Sequence, residues 1–203
     1  MSNHVLDTRS KILKVAVDIV GLKGEVTIRE LTEQAGVNVA AINYHFGNKN
    51  NLLKEVENYY SELLYTMQKG ILVNTKLSSK EKLIQWSKNL LEFMFKFPAL
   101  IELIVDISTE DKTYNPTLIQ RIYHNEEIRK IIEEIIKDNI GTADVKLIKY
   151  KYLQIFSGIV GLVVNHVILD TYIQGDNEMD INGEEELNQY IELLINSILT
   201  KSV

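Results

Sequence analysis

The sequence predicts an all-α protein: an N-terminal three-helix helix-turn-helix domain followed by a C-terminal helical bundle, with about nine helices in all. Apolar residues recur at spacings of three and four along most of the chain, which is the period of an amphipathic helix. Only two prolines occur in 203 residues, and 45% of the residues are apolar, so a substantial core is expected. The absence of cysteine excludes a disulfide framework and a thiolate metal site.

The segment 27–49 is the most informative part of the chain. Thr27 and Glu30 have the spacing of a capping box, which predicts that a helix begins here. Gly36 suits the left-handed backbone at the end of that helix, and Asn38 can cap the next one. In this second helix Ile42 and Phe46 are four residues apart and face the core. Small, polar and aromatic residues occupy its outer face: Val39, Ala40, Asn43, Tyr44 and His45.

The other helices follow from the same signals. The first is expected from Asp7 to Leu22 with Gly24 after it, and Asn48 caps a long fourth helix that ends near Leu72. A second capping box opens the fifth helix, and prolines open the sixth and seventh. The corresponding positions are Ser78 with Glu81 for the fifth helix, Pro98 for the sixth and Pro116 for the seventh. Gly141 ends the seventh helix, and Thr142 caps an eighth that runs to about Ile173. A loop over Gln174–Gly183 then leads to a ninth helix.

Ten positions within the first 55 residues form a gapped family pattern: Thr27, Ala35-Gly36-Val37, Ile42, Tyr44, Phe46, Asn48, Lys49 and Leu52. On these residues the segment resembles the DNA-binding domain of the TetR family of transcriptional regulators. It departs from the pattern at Leu31-Thr32, where Ile-Ala is usual, and at Asn43, where an aromatic residue is common. The resemblance implies a DNA-binding domain at 1–48 and a ligand-binding and dimerisation domain at 49–203. It also implies a homodimer that acts as a repressor on a pseudo-palindromic double-stranded operator and is released by a small apolar effector, with no cofactor.

Contacts to DNA are expected from the outer face of the second motif helix and from its flanks. Asn43 can form a bidentate pair with adenine, while Val39, Ala40 or Ala41 can meet thymine methyl groups. This predicts A·T pairs inside each half-site. The side chains of Tyr44, Thr27 and Lys49 are expected on phosphates, which fix register rather than sequence. Three further candidates have an alternative role: Arg29 as a solvated helix residue, His45 as a packing residue and Asn38 as a helix cap.

The charge distribution is the strongest argument against this interpretation. The net charge is −6, whereas a nucleic-acid binder is expected to carry a basic surface. Residues 1–55 hold seven basic and six acidic side chains, a net of +1, and the remainder carries −7. An acidic C-terminal part repels phosphate and leaves only the N-terminal part able to approach DNA. Its non-specific affinity is therefore expected to be modest and salt-sensitive.

The last two predicted helices carry more apolar surface than one chain readily covers. They are either core helices or the seam of a four-helix bundle between two subunits, as the resemblance implies. The expected dimer interface is Leu153, Val160, Val164, Val167, Leu187, Ile191, Leu194 and Ile198. Aromatic side chains with a few polar ones are candidates for lining an effector cavity, although each can equally be ordinary core. They are Trp86, Phe93, Phe97, Tyr123, His124, Tyr152, Phe156, Asn165 and His166.

Two other classes of function are alternatives to a regulator. The four histidines show no metal-binding spacing, and no phosphate-binding glycine loop or nucleophile elbow occurs, so an enzyme is not expected. The near-neutral N-terminal part keeps a second alternative open, a helical protein that acts through a protein partner. The apolar run Ile155–Leu169, about 15 residues that include Asn165 and His166, is too short and too polar to span a bilayer. With no apolar signal core at the N-terminus, a cytoplasmic protein is expected.

Overall fold

The computed structural model describes residues 7–23, 26–172, 181 and 183–200, and over these residues the regular structure is helical. Ten helices follow one another: α1 Thr8–Lys23, α2 Ile28–Ala35, α3 Val39–Phe46, α4 Lys49–Leu72, α5 Ser79–Lys96, α6 Ala99–Glu110, α7 Thr117–Tyr123, α8 Glu126–Ile140, α9 Val145–Tyr172 and α10 Glu184–Leu199. The all-α fold class is therefore confirmed. The predictions for Gly24 and for most of Gln174–Gly183 lie outside the described residues.

The predicted seventh helix is two helices. The Asn125 side chain accepts a hydrogen bond from the Ile128 amide at 3.2 Å, so a new helix begins there. The amide of His124 closes the preceding helix on the carbonyl of Gln120 at 2.7 Å. The sequence signal for this break is the capping asparagine. It was hidden because the apolar residues on both sides of Asn125 keep a continuous helical period.

The cap of α9 is also a correction. Asp144, rather than Thr142, accepts from the first amides of this helix, at 2.9 Å from Lys146 and 3.2 Å from Leu147. Thr142 instead accepts from the Asp144 amide at 3.2 Å. The two residues therefore act in sequence, and the carboxylate is the group that meets the free amides at the helix N-terminus.

The chain divides into two compact units. Unit 1 contains residues up to Leu63 together with Phe97–His124, and unit 2 contains Leu64–Lys96 and the chain from Asn125 onwards. In unit 1, α1 packs against α2, α3 and α6. In unit 2, α5 packs against α8, α9 and α10, and most of its middle is buried. The chain therefore passes between the units within α4, between α5 and α6, and between α7 and α8.

Candidate functional site

The helix-turn-helix is built by side chains that satisfy free main-chain groups. Thr27 Oγ1 accepts from the Glu30 amide at 3.1 Å, and the Glu30 carboxylate accepts from the Thr27 amide at 3.0 Å. Gly36 ends α2 in the left-handed conformation, with φ 59° and ψ 41°. The side chain of Asn38 then accepts from the Ala41 amide at 2.9 Å and begins α3. These local contacts set the angle between the two helices.

One side of α3 is anchored in unit 1 and the other faces solvent. Ile42 is fully buried, and Phe46 nearly so. Tyr44 is 85% exposed, Val39 is 48% exposed, and Asn43 also faces solvent. An aromatic side chain this exposed on a short helix gains nothing from the protein core, so the outer face is suited to contact another molecule.

The remaining predicted DNA-binding residues surround this face. Thr27, Arg29, Asn38 and Ala40 are exposed, whereas Ala41, His45 and Lys49 are half-buried. His45 packs its ring against that of Tyr44, with centroids 5.0 Å apart. Arg29 pairs with Glu33 at 2.8 Å along α2, and both side chains are largely exposed, so this weak surface pair leaves the guanidinium accessible.

Electrostatic contacts hold α1 against α3 and α4. Arg9 makes two contacts of 2.6 Å with the Glu55 carboxylate, and its guanidinium lies 5.0 Å from the centroid of the Phe46 ring. The side chain of Asn48 accepts from the Asn51 amide at 2.8 Å and caps α4. The orientation of α3 is therefore fixed from both of its neighbours.

The sequence patterns did not identify Lys11 as a residue close to the turn before α3. A Cβ atom added at Gly36 would lie 3.6 Å from Lys11 Nζ, so this ammonium group stands beside the turn that precedes α3. The spacing of α1 places Lys11 on an exposed face, but its proximity to the turn depends on how α1 packs across α2. That packing is a tertiary contact, which no pattern within α1 reveals.

A second polar cluster joins α4 to the segment after α6, all within unit 1. Lys54 pairs with Asp111 at 2.8 Å, and Tyr114 donates to the Glu57 carboxylate at 2.6 Å. The other Glu57 oxygen accepts from the Leu118 amide at the start of α7. Glu57 is fully buried. Hydrogen bonds to a carboxylate are stronger than those between neutral groups, so this cluster fixes α7 on α4.

The predicted effector-binding residues are divided between the two units. Phe97, Tyr123 and His124 belong to unit 1, and the other six belong to unit 2. Tyr123 is 50% exposed and His124 is also exposed, so neither lines a buried cavity, which corrects the expectation for these two. In unit 2, Trp86 and Phe93 are buried in α5, while Tyr152 and Phe156 stack with centroids 6.3 Å apart. Asn165 and His166 are half-buried, and the His166 ring meets Phe95 at 4.9 Å.

The middle of α5 buries polar atoms that have no hydrogen-bond partner among the described residues. They are the indole nitrogen of Trp86, the hydroxyl of Ser87 and the amide oxygen of Asn89. Trp86 is 2% exposed and Ser87 is fully buried. An unpaired buried polar group costs free energy, so a water or another molecule that hydrogen-bonds to these atoms would stabilise them.

The predicted dimer residues separate into two sets. Leu153, Val164 and Val167 lie exposed along α9, with Val160 half-buried on the same helix. Leu194 is half-buried on α10. The other three, Leu187, Ile191 and Ile198, are buried within the single chain. Since α10 packs these three against α5 and α9, their side chains belong to the core of unit 2 and are not surface that a partner can reach.

Helix α9 is longer than the apolar run used to argue against a membrane span. Val145–Leu169 is long and apolar enough to cross a membrane by length and composition alone, so the prediction that this region is too short and too polar was wrong. Only 22% of this apolar window is buried within the chain. Exposed apolar surface of this kind is equally characteristic of a subunit interface. No group of three or more metal-binding side chains was found in the described part of the chain.

Comparison with known proteins agrees with this geometry. The family described as bacterial regulatory proteins, tetR family, matches residues 12–56, which contain α2, α3 and most of α1. The chain is 28% identical over 120 residues to the probable HTH-type transcriptional regulator YttP of Bacillus subtilis (strain 168). That alignment covers 58% of this chain and 56% of YttP, so it spans about half the length of the relative.

Two solved structures share the fold over nearly the whole chain. One is a Mesorhizobium loti MAFF303099 protein assigned to the TetR family of transcriptional regulators, with a TM-score of 0.65, 16% identity and 98% coverage of both chains. The other is the TetR family transcriptional regulator PfmR from Thermus thermophilus, with a TM-score of 0.57, 15% identity and coverage of 98% of this chain and 99% of PfmR. The helix-turn-helix on residues 27–46 therefore lies within a segment, residues 12–56, that matches the tetR family of bacterial regulatory proteins, and the solved structures show the same fold over nearly the whole chain.

Proposed function

We propose that this protein is a homodimeric transcriptional repressor that reads a pseudo-palindromic operator with α3. The observation that carries this is the outer face of α3, where Tyr44 is 85% exposed beside Asn43 and Val39. The face is held rigidly by a capped helix on each side, as a reader of base edges requires. Within this proposal residues 1–48 read DNA, residues 49–203 dimerise and bind an effector, and the protein acts in the cytoplasm.

Each side chain has a defined task. Asn43 pairs with adenine in the major groove, and Val39, Ala40 or Ala41 meets a thymine methyl group. The phosphates are held by Tyr44, Thr27 and Lys49, with further contacts from Arg29, Asn38 and His45. The experiment is selection of bound duplexes from a random pool at moderate salt. We expect a pseudo-palindrome whose half-sites contain A·T pairs.

A matched variant makes that experiment specific. Asn43→Ala is expected to relax selection at one A·T position in each half-site, at a cost of about 1–3 kcal/mol for the correct base. Tyr44→Phe, which removes only a phosphate contact, should weaken binding to all sequences by a similar factor. Half-site cores made only of G·C pairs would contradict the role of Asn43.

The support for an effector lies in α5. A small molecule that is mostly apolar, with one hydrogen-bond acceptor and one donor, would satisfy the buried Trp86 nitrogen and the Asn89 oxygen. The chain contains a single tryptophan, so its fluorescence reports on this place directly. Compounds that shift the emission of Trp86 are expected to weaken binding to the selected duplex, and a compound that shifts it without changing DNA affinity would argue against control through this helix.

The near-neutral N-terminal part favours one other function, that of a helical protein acting through a protein partner. The two functions differ in a simple measurement, the dependence of binding to random duplex on salt. A DNA-binding protein releases counterions and shows a clear slope, whereas an adapter shows none.

A further inference from the structure

The basic side chains of the N-terminal part are unequally engaged. Of the seven lysines and arginines in residues 1–55, four form ion pairs: Arg9 with Glu55 at 2.6 Å, Lys23 with Glu30 at 3.1 Å, Arg29 with Glu33 at 2.8 Å and Lys54 with Asp111 at 2.8 Å. The other three, Lys11, Lys14 and Lys49, make no ion pair with any residue that the structure describes.

Two of these three lysines lie at opposite ends of α3. Lys11 Nζ stands beside Gly36, at 3.6 Å from the position of an added Cβ, in the turn just before the helix. Lys49 is the first residue of α4, three positions after the last residue of α3. A helix of eight residues is about 12 Å long, close to the width of about 12 Å of the major groove.

We propose that Lys11 is a phosphate-binding residue and that Lys11 and Lys49 hold the phosphates on either side of the groove that α3 enters. This assignment rests on the proposed function. Phosphate contacts fix the orientation of a reading helix without selecting sequence, and an ammonium group serves as a point charge for that purpose. Lys11 thereby joins Thr27 and Tyr44 as a positioning residue.

The positions of these lysines, rather than their number, bear on the objection raised by the net charge. Three of the six acids in residues 1–55, Glu30, Glu33 and Glu55, are neutralised by neighbouring cations. The lysines without ion pairs keep their full charge at the ends of the reading helix. In a plain count the three other acids of residues 1–55 offset these three lysines, whereas the field that a duplex meets at α3 depends on where the charges stand.

A purely structural role for Lys11 must be separated from this one. An ammonium group near the end of α2 also stabilises the free carbonyls of that helix. The structural role predicts lower thermal stability after substitution, with an unchanged salt dependence of binding. The phosphate role predicts an unchanged thermal stability and a weaker salt dependence of binding, because the loss of a phosphate contact reduces the number of counterions released.

The experiment measures binding of the full-length protein to a random-sequence duplex of about 20 base pairs by fluorescence anisotropy, between about 50 and 200 mM salt. Lys11→Gln is compared with Lys11→Arg and with Lys80→Gln, which removes the same charge from an exposed position of α5. For a dimer with both heads on the duplex, Lys11→Gln should lower the slope of log K against log salt by about 1.8. The factor by which affinity falls between about 50 and 200 mM salt should then be about twelvefold smaller for the variant than for the wild type.

Lys11→Arg should restore the wild-type slope, and Lys80→Gln should leave it unchanged. A wild-type slope in Lys11→Gln overturns the assignment, as does an equal loss of slope in Lys80→Gln or a fall in melting temperature that Lys11→Arg does not repair. If the wild-type protein itself shows no salt-dependent binding, the proposed function fails, which is a different result.

Discussion

The Tyr60 hydroxyl lies 2.9 Å from the main-chain carbonyl oxygen of Val17 and donates a hydrogen bond to it. Tyr60 is 3% exposed, and burial raises the pKa of its phenol to about 12. One turn further along α1, a Cβ added at Gly21 would stand 2.1 Å from the same hydroxyl. Glycine at position 21 therefore allows α4 to approach α1 closely enough for this bond.

This contact gives the first prediction. Gly21→Ala should destabilise the protein by roughly 1–3 kcal/mol, because the methyl group displaces Tyr60, and alanine's better helix propensity of about 1 kcal/mol offsets part of this. In a Tyr60→Phe background the clashing oxygen is absent, and the nearest ring atom would be 3.2 Å away. The penalty of Gly21→Ala should then shrink. Urea unfolding of the wild type, the two single variants and the double variant measures this difference. An equal penalty in both backgrounds would refute the contact as the cause.

The buried carboxylate of Glu57 gives the second prediction. It accepts from the Tyr114 hydroxyl and from the Leu118 amide, and burial together with the hydrogen bond to Glu57 raises the pKa of Tyr114. Tyr114→Phe should cost about 1.5–3 kcal/mol, the range for hydrogen bonds to charged groups. Glu57→Ala should cost more, since it also leaves the Leu118 amide without its partner.

A matched control comes from unit 2, where Tyr65 donates to the Glu127 carboxylate at 2.5 Å in an exposed setting. Tyr65→Phe removes the same kind of bond where water can replace it, so a loss below about 1 kcal/mol is expected. Chemical unfolding of both tyrosine variants measures the difference. Equal losses for Tyr114→Phe and Tyr65→Phe would mean that burial of Glu57 does not strengthen its bond.

The pH dependence of the capping box gives the third prediction. Hydrogen bonds from the Thr27 amide, the Lys23 ammonium and the Thr27 hydroxyl lower the pKa of Glu30 from 4.5 to about 2. A carboxyl whose pKa is lower in the folded state stabilises that state above its unfolded pKa. Its contribution should therefore be complete above about pH 4.5 and disappear as the pH falls through 2.

An NMR titration of the Glu30 carboxyl and the Thr27 amide follows this directly. The two signals should move together with a midpoint near pH 2, and in Thr27→Ala the Glu30 midpoint should rise toward 4.5. A Glu30 midpoint near 4.5 in the wild-type protein would show that the capping box is absent in solution.

What the sequence could predict here was local. The cap at Thr27, the left-handed Gly36, the cap at Asn38 and the exposed outer face of α3 all depend on residues within a few positions of one another. Such patterns are fixed by main-chain geometry and hydrogen bonding, so they can be identified without the fold. The break at Asn125 belongs to the same class, but a continuous apolar period masked it.

What could not be predicted depended on packing between distant segments. Lys11 approaches Gly36, and Glu57 meets Tyr114, across 25 and 57 positions of the chain. Likewise the apolar residues of α10 gave no sign of which lie inside. Leu187 and Ile191 have the same character as Val164, yet only Val164 remains exposed, because α10 turns the other two toward α5 and α9.

The exposed stripe of α9 gives the last prediction. Val164 and Val167 are each 50% exposed on α9, and we propose that this exposed stripe is the dimer seam. Val164→Glu places a carboxylate at that seam in each subunit without an opposite charge, and burying an unpaired charge is strongly unfavourable. The wild-type protein should sediment at twice the chain mass of 23.3 kDa, and Val164→Glu should shift toward the monomer. Val105→Glu on α6 is the matched control, since this valine is 56% exposed and lies outside the seam. A wild-type monomer, or a variant at position 105 that dissociates as readily, would place the interface elsewhere.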